Sequence, residues 1–97
     1  MTVYFVGRLS VRNTDWMDAY VGPTRELVEK HGGRYLVAGG AMQQHEGDGP
    51  LPDSMVILEF PTKENAEAWH NDSDYAPLIA LRQSASDLDF VLVEGTE

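Results

Sequence analysis

The sequence predicts an α+β fold of the ferredoxin-like split βαβ kind, with four antiparallel strands in one sheet, ordered 4-1-3-2, and helices on one face. Three observations predict it. Segments with apolar residues at period two alternate with segments at helical period, in the order strand, helix, strand, strand, helices, strand. The run Ser54-Met-Val-Ile-Leu-Glu-Phe60 is almost continuously apolar and lies between Pro52-Asp53 and Pro61-Thr62, as an inner strand should. The 97 residues hold one core and one domain, without repeat or linker.

The first strand runs from Val3 to Val11. Val3, Phe5, Gly7, Leu9 and Val11 form a row suited to a core, and Tyr4, Val6, Arg8 and Ser10 form an amphipathic row with one cation near its centre. Asn13-Thr14-Asp15 then supplies helix-start chemistry. Trp16, Met17, Tyr20, Val21, Thr24, Leu27, Val28 and His31 follow at helical spacing. Their phase persists through Gly22-Pro23, which predicts one kinked helix or two abutting ones. Gly32-Gly33 ends the helix, and Arg34 to Ala38 is the second strand.

Residues 41–53 carry turn-formers and polar side chains and read as a long loop. After the inner strand, Thr62 is expected to cap a helix that turns Ala66 and Trp69 inward. Asn71-Asp72-Ser73 breaks that helix. Ser73 is expected to cap another, carrying Tyr75, Leu78, Ile79 and Arg82. The last strand is expected over Asp89 to Glu94, with Phe90 and Leu92 alternating against Val91 and Val93.

Composition narrows the function classes. A formal charge of -9 and a pI near 4.5 exclude nucleic acid and anionic membrane as expected partners, because phosphate binding needs concentrated Lys and Arg. The chain has no cysteine, hence no disulfide, thiolate ligand or thiol nucleophile. Its N-terminus lacks signal-peptide features and no segment has the length of a membrane span, so the expected compartment is the cytoplasm. There is no glycine-rich phosphate loop, no Ser/His/Asp signature and no zinc motif, and no cofactor or metal is expected.

Tyr35-Leu-Val-Ala-Gly-Gly after a Gly-Gly turn, Val56-Ile-Leu-Glu-Phe-Pro-Thr62, Ala66-Glu-Ala-Trp69, Ser73-Asp-Tyr75 and Ala80-Leu-Arg82 together resemble the domain-of-unknown-function 1330 family, within the dimeric α+β barrel superfamily. The resemblance implies the fold and a dimer whose two sheets form a barrel. It implies no reaction, since the superfamily also includes cofactor-free monooxygenases, muconolactone isomerases and stress-response dimers. The chain departs from the family pattern in carrying Ser54 where a basic residue is common, and His70 where a tyrosine often follows the helix tryptophan.

Residue chemistry supplies the candidate site. The uncovered sheet face would hold Tyr4, Val6, Ile57 and Val91, too apolar for water, so a homodimer is expected to bury it. Glu59, the one charge in its strand, and Arg8 are expected on that face of adjacent strands, either as a pocket base held by a guanidinium or as a structural ion pair. Tyr4 and Ile57 would share the pocket. His45 and Glu46, from the 41–53 loop, are further candidates at its mouth, with His45 a candidate acid-base residue. Two readings follow: a homodimer holding a small apolar or aromatic molecule between its sheets, or a cofactor-free isomerase- or monooxygenase-like enzyme using Glu59 or His45 as general base.

Overall fold

A computed structural model describes residues 1–96. The elements are β1 (Val3–Val11), α1 (Met17–Lys30), β2 (Arg34–Ala38), β3 (Ser54–Phe60), α2 (Lys63–His70), α3 (Ala76–Gln83) and β4 (Ser86–Glu94). The sheet order is β2-β3-β1-β4, which is 4-1-3-2 read from the other edge, and every pairing is antiparallel. The α+β class and the strand order are those the sequence predicts.

Register divides the sheet into two faces. Val3, Phe5, Gly7 and Leu9 of β1 stand opposite Phe60, Leu58, Val56 and Ser54 of β3 and face the helices. There Val3, Phe5, Val28, Leu58, Phe60, Ala66, Trp69 and Tyr75 make the main core cluster. Phe90 of β4 stacks on Phe5 with ring centroids 4.5 Å apart. Gly7 permits this arrangement, because a Cβ at that position would stand 2.8 Å from the Phe90 ring and 2.9 Å from Leu88. The opposite rows, among them Tyr4, Val6, Ile57, Val91 and Val93, face outward, with Val91 61% and Val93 46% exposed.

Helix boundaries follow local chemistry. Gly22-Pro23 lies inside α1, so the preserved apolar phase makes one helix. At its end Gly32 adopts φ +81, donating to the Glu29 carbonyl at 3.0 Å, while the Gly33 N–H reaches the Val28 carbonyl at 2.9 Å. This left-handed closure satisfies two terminal carbonyls and suits glycine. Thr62 caps α2 as expected, its Oγ1 accepting from the Asn65 N–H at 3.1 Å.

Three boundaries differ from expectation. Asn13-Thr14-Asp15 builds a turn ahead of α1, because the Asn13 side chain accepts from the Asp15 N–H and its carbonyl from the Trp16 indole at 2.7 Å, so the helix begins at Met17. Ser73 is not the cap of α3. Asp72 holds that turn by accepting from the Asp74 N–H at 2.9 Å, and the residue before α3 is Tyr75. β4 begins three residues early, at Ser86, because β1 is long enough to pair it from Val11 onward. Asp87 is the outward residue of this extension, and an acid with little strand propensity concealed its alternation with Leu88.

Candidate functional site

The residues expected to form a site occupy the outward face or the loop. Tyr4 stands opposite Glu59, Val6 opposite Ile57, and Arg8 opposite Met55, so Glu59 and Arg8 share a face but lie four residues apart in register. Glu59 pairs instead with Arg34 on the neighbouring β2, its Oε2 accepting from the Arg34 Nε–H at 2.7 Å. That is the structural ion pair, with a different cation. Arg8 donates to the Pro50 carbonyl at 3.2 Å and the Asp53 carboxylate accepts from the Val11 N–H at 2.7 Å, so the 41–53 loop is tied back onto β1. His45 and Glu46 are exposed on that loop. Among the described residues no three His, Asp or Glu side chains cluster to hold a metal ion.

A cavity of about 200 Å³ lies on the other side of the sheet, between strands and helices. Leu9, Val56, Leu58, Leu88 and Phe90 supply its sheet wall. Its other walls come from α1 (Met17, Tyr20, Val21, Arg25), from Tyr35 and Ala38 of β2, and from Trp69, Tyr75 and Arg82. Helical spacing places Tyr20 one turn above Trp16, and their rings meet edge to face at 5.2 Å. The apolar stripe of α3 turns Arg82 inward with Leu78 and Ile79. A void somewhat smaller than this, about 150 Å³ with apolar walls, admits a benzene ring in another protein.

The charged groups lining this cavity, Arg25 and Arg82, are both cations. The hydroxyls of Tyr20 and Tyr75 meet at 2.6 Å, and the Tyr75 ring stacks on Trp69 at 4.6 Å. The Arg25 guanidinium sits 5.0 Å above the Tyr35 ring, and that of Arg82 sits 6.0 Å from the Tyr20 ring centre. Arg82 is only 6% exposed and Trp69 only 1%. The Nε of Arg82 and the indole Nε1 of Trp69 have no hydrogen-bond partner among the described residues. Burial pushes the Tyr35 and Tyr75 hydroxyls well above the usual tyrosine range, with Tyr20 adding to the effect and Arg82 opposing it. Burial, and then Arg82, push the His70 imidazole below its usual value.

Trp69 and Tyr75 belong to the buried core and Tyr20 packs against it, as aromatics at helical spacing usually do; that they also border a cavity was not read from the sequence. Two signals were present. A cation, Arg82, falls on the apolar stripe of its helix, and the aromatics facing it carry hydroxyls that a purely apolar core does not need.

The family model described as "Domain of unknown function (DUF1330)" matches residues 2–96. The chain belongs to this family. No functionally curated protein matches it. Among solved structures it is similar to a protein of unknown function from Rhodopseudomonas palustris, at 17% identity and a TM-score of 0.77, covering 99% of this chain and 83% of the other. It is similar also to SnoaB, a cofactor-independent oxygenase from Streptomyces nogalater, at 12% identity and a TM-score of 0.64, covering 99% and 94%. A putative antibiotic biosynthesis monooxygenase from Nitrosomonas europaea matches at 20% identity and a TM-score of 0.54 over the full length of both chains. At these identities the likeness shows the fold alone.

Proposed function

We propose that this DUF1330 protein is a homodimeric binding protein that holds a small apolar or aromatic molecule in the cavity of each protomer. The cavity itself carries the reading. Its volume of about 200 Å³ suits a single ring, and aromatic and aliphatic side chains make most of its wall. This reading puts the binding place between sheet and helices, where the sequence reading expected it between two sheets. The sheet-to-sheet contact is left to a second copy, which would bury the outward Tyr4, Ile57, Val91 and Val93. Any turnover by a cofactor-free route would draw its proton-transfer groups from the Tyr20–Tyr75 pair, since neither Glu59 nor His45 borders the cavity.

The test is ligand binding followed at the cavity wall. Benzyl alcohol should shift the indole N–H resonance of Trp69 in a titration seen by NMR and raise the melting temperature. Ala38→Trp, which sets an indole at the exposed rim, should abolish both effects while the fold persists. An unmoved Trp69 resonance, or equal binding by Ala38→Trp, would remove the cavity as the site.

A further inference from the structure

The charge of the cavity wall differs from that of the chain. The sequence holds 16 acidic and 7 basic residues, yet among the described residues no Asp or Glu lines the cavity and two arginines, Arg25 and Arg82, do. Arg82 is the more unusual of the two. A guanidinium this deeply buried ordinarily has a carboxylate beside it, because an unpaired ion loses its hydration without compensation. Around Arg82 stand Tyr20, Tyr35, Tyr75 and His70, all from other elements, and its ion pairs among the described residues number none.

The fully buried polar atoms of the cavity wall that lack a partner are both donors. Arg82 has its Nε–H unpaired, and Trp69 has its indole N–H unpaired. In the Tyr20–Tyr75 pair one hydroxyl donates to the other, and the accepting hydroxyl retains its own proton, with no acceptor for it among the described residues. A cavity with several donors, two cations and no carboxylate is complementary to an anion that accepts from more than one direction. A carboxylate offers two oxygens with about four acceptor sites, and its planar edge matches the guanidinium fork. A phenolate offers one oxygen and leaves donors unmet.

We propose that the occupant is a small aromatic carboxylate, its ring against the aromatic wall and its carboxylate on Arg82, with Trp69 and the tyrosine pair completing the oxygen contacts. This rests on the cavity reading above and specifies the charge and shape of what that cavity accepts. The chain's overall negative charge makes the preference more informative, because nonspecific attraction would favour cations.

The experiment compares three one-ring probes by NMR at the Trp69 indole and by calorimetry: benzoate, its neutral counterpart benzamide, and 4-nitrophenolate above the pKa of its phenol. Benzoate should bind about tenfold or more tightly than either of the others, as expected for a charge-assisted contact to a buried guanidinium. Arg82→Met should reduce benzoate to the level of benzamide, and Arg82→Lys should recover part of the difference. Equal binding of benzoate and benzamide would overturn the anion assignment and leave the cavity as an apolar site. Binding of 4-nitrophenolate as tight as benzoate would overturn the carboxylate in favour of any anion. If none of the three moves Trp69, the cavity reading falls and the carboxylate with it. Should Arg82→Met fail to fold, the probe series on the unmodified protein decides by itself.

Discussion

The hydroxyls of Tyr20, on α1, and Tyr75, just ahead of α3, meet at 2.6 Å over the cavity and join two helical segments through a polar contact. Tyr75 is 1% exposed, and its burial together with Tyr20 keeps it protonated beyond the usual tyrosine range. A raised folded-state pKa means that the neutral form stabilises the fold. That contribution is complete below the unfolded value of 10.0 and is lost as pH rises above it. Thermal unfolding followed from pH 8 to pH 12 should show stability falling above about pH 10. Tyr75→Phe should lower stability by about 1 kcal/mol at neutral pH and weaken the alkaline loss, with Tyr35 supplying the remainder.

Asp72 acts at the acid end. It accepts from the His31 ring at 2.8 Å, from the Asp74 N–H at 2.9 Å and from the Lys30 ammonium at 3.1 Å, which together hold its carboxyl far below the usual carboxylate range. Here the sign reverses. The contribution is complete above about pH 4 and is lost as pH falls below it. Asp72→Asn should lower the melting temperature at pH 7, and its melting temperature should fall less than that of the unmodified protein between pH 5 and pH 2.

Glu59→Gln separates an ion pair from a catalytic base. Arg34 is 71% exposed and the Glu59 carboxylate 24%, so freeing the cation leaves it in water. The cost should be within about 1 kcal/mol of unfolding free energy, the range of exposed pairs, and ligand binding at Trp69 should be unchanged. A loss of binding in this variant would return Glu59 to the site.

Val91→Glu tests the outward sheet face. Sedimentation velocity of the unmodified protein should give twice the chain mass, and the variant should give the monomer with its circular dichroism retained. A monomeric unmodified protein, or a dimeric variant, would mean that the two sheets do not meet.

Much of the fold was legible because local chemistry and global architecture agree. β1, β2 and β3 have the bounds that their alternation and flanking turns predicted, and Thr62 caps α2 through the contact its identity suggests. The losses occur where a side chain serves something other than its own element. Asp72 takes the turn expected of Ser73, and Asp87 lies in an extension of β4 that its propensity argues against. The site was less legible than the fold for a related reason. Glu59 and Arg8 were conspicuous as charges on apolar strands, but pairing depends on register, and register set Glu59 beside Arg34. Tyr20, Trp69, Tyr75 and Arg82 come from segments up to 62 positions apart, and no local pattern announces that their polar atoms converge.

The missing side chain at Gly7 shapes the cavity from behind. Its two nearest neighbours, Phe90 and Leu88, both belong to the cavity wall, and neither can accept a Cβ where it now stands. A methyl group at position 7 would therefore move the floor of the chamber upward from behind, without touching anything inside it. The volume of the chamber is thereby set from outside it as well as by its walls. A single substitution in β1 would thus alter that volume through Phe90, which itself stands edge to face with Trp69 at 6.1 Å.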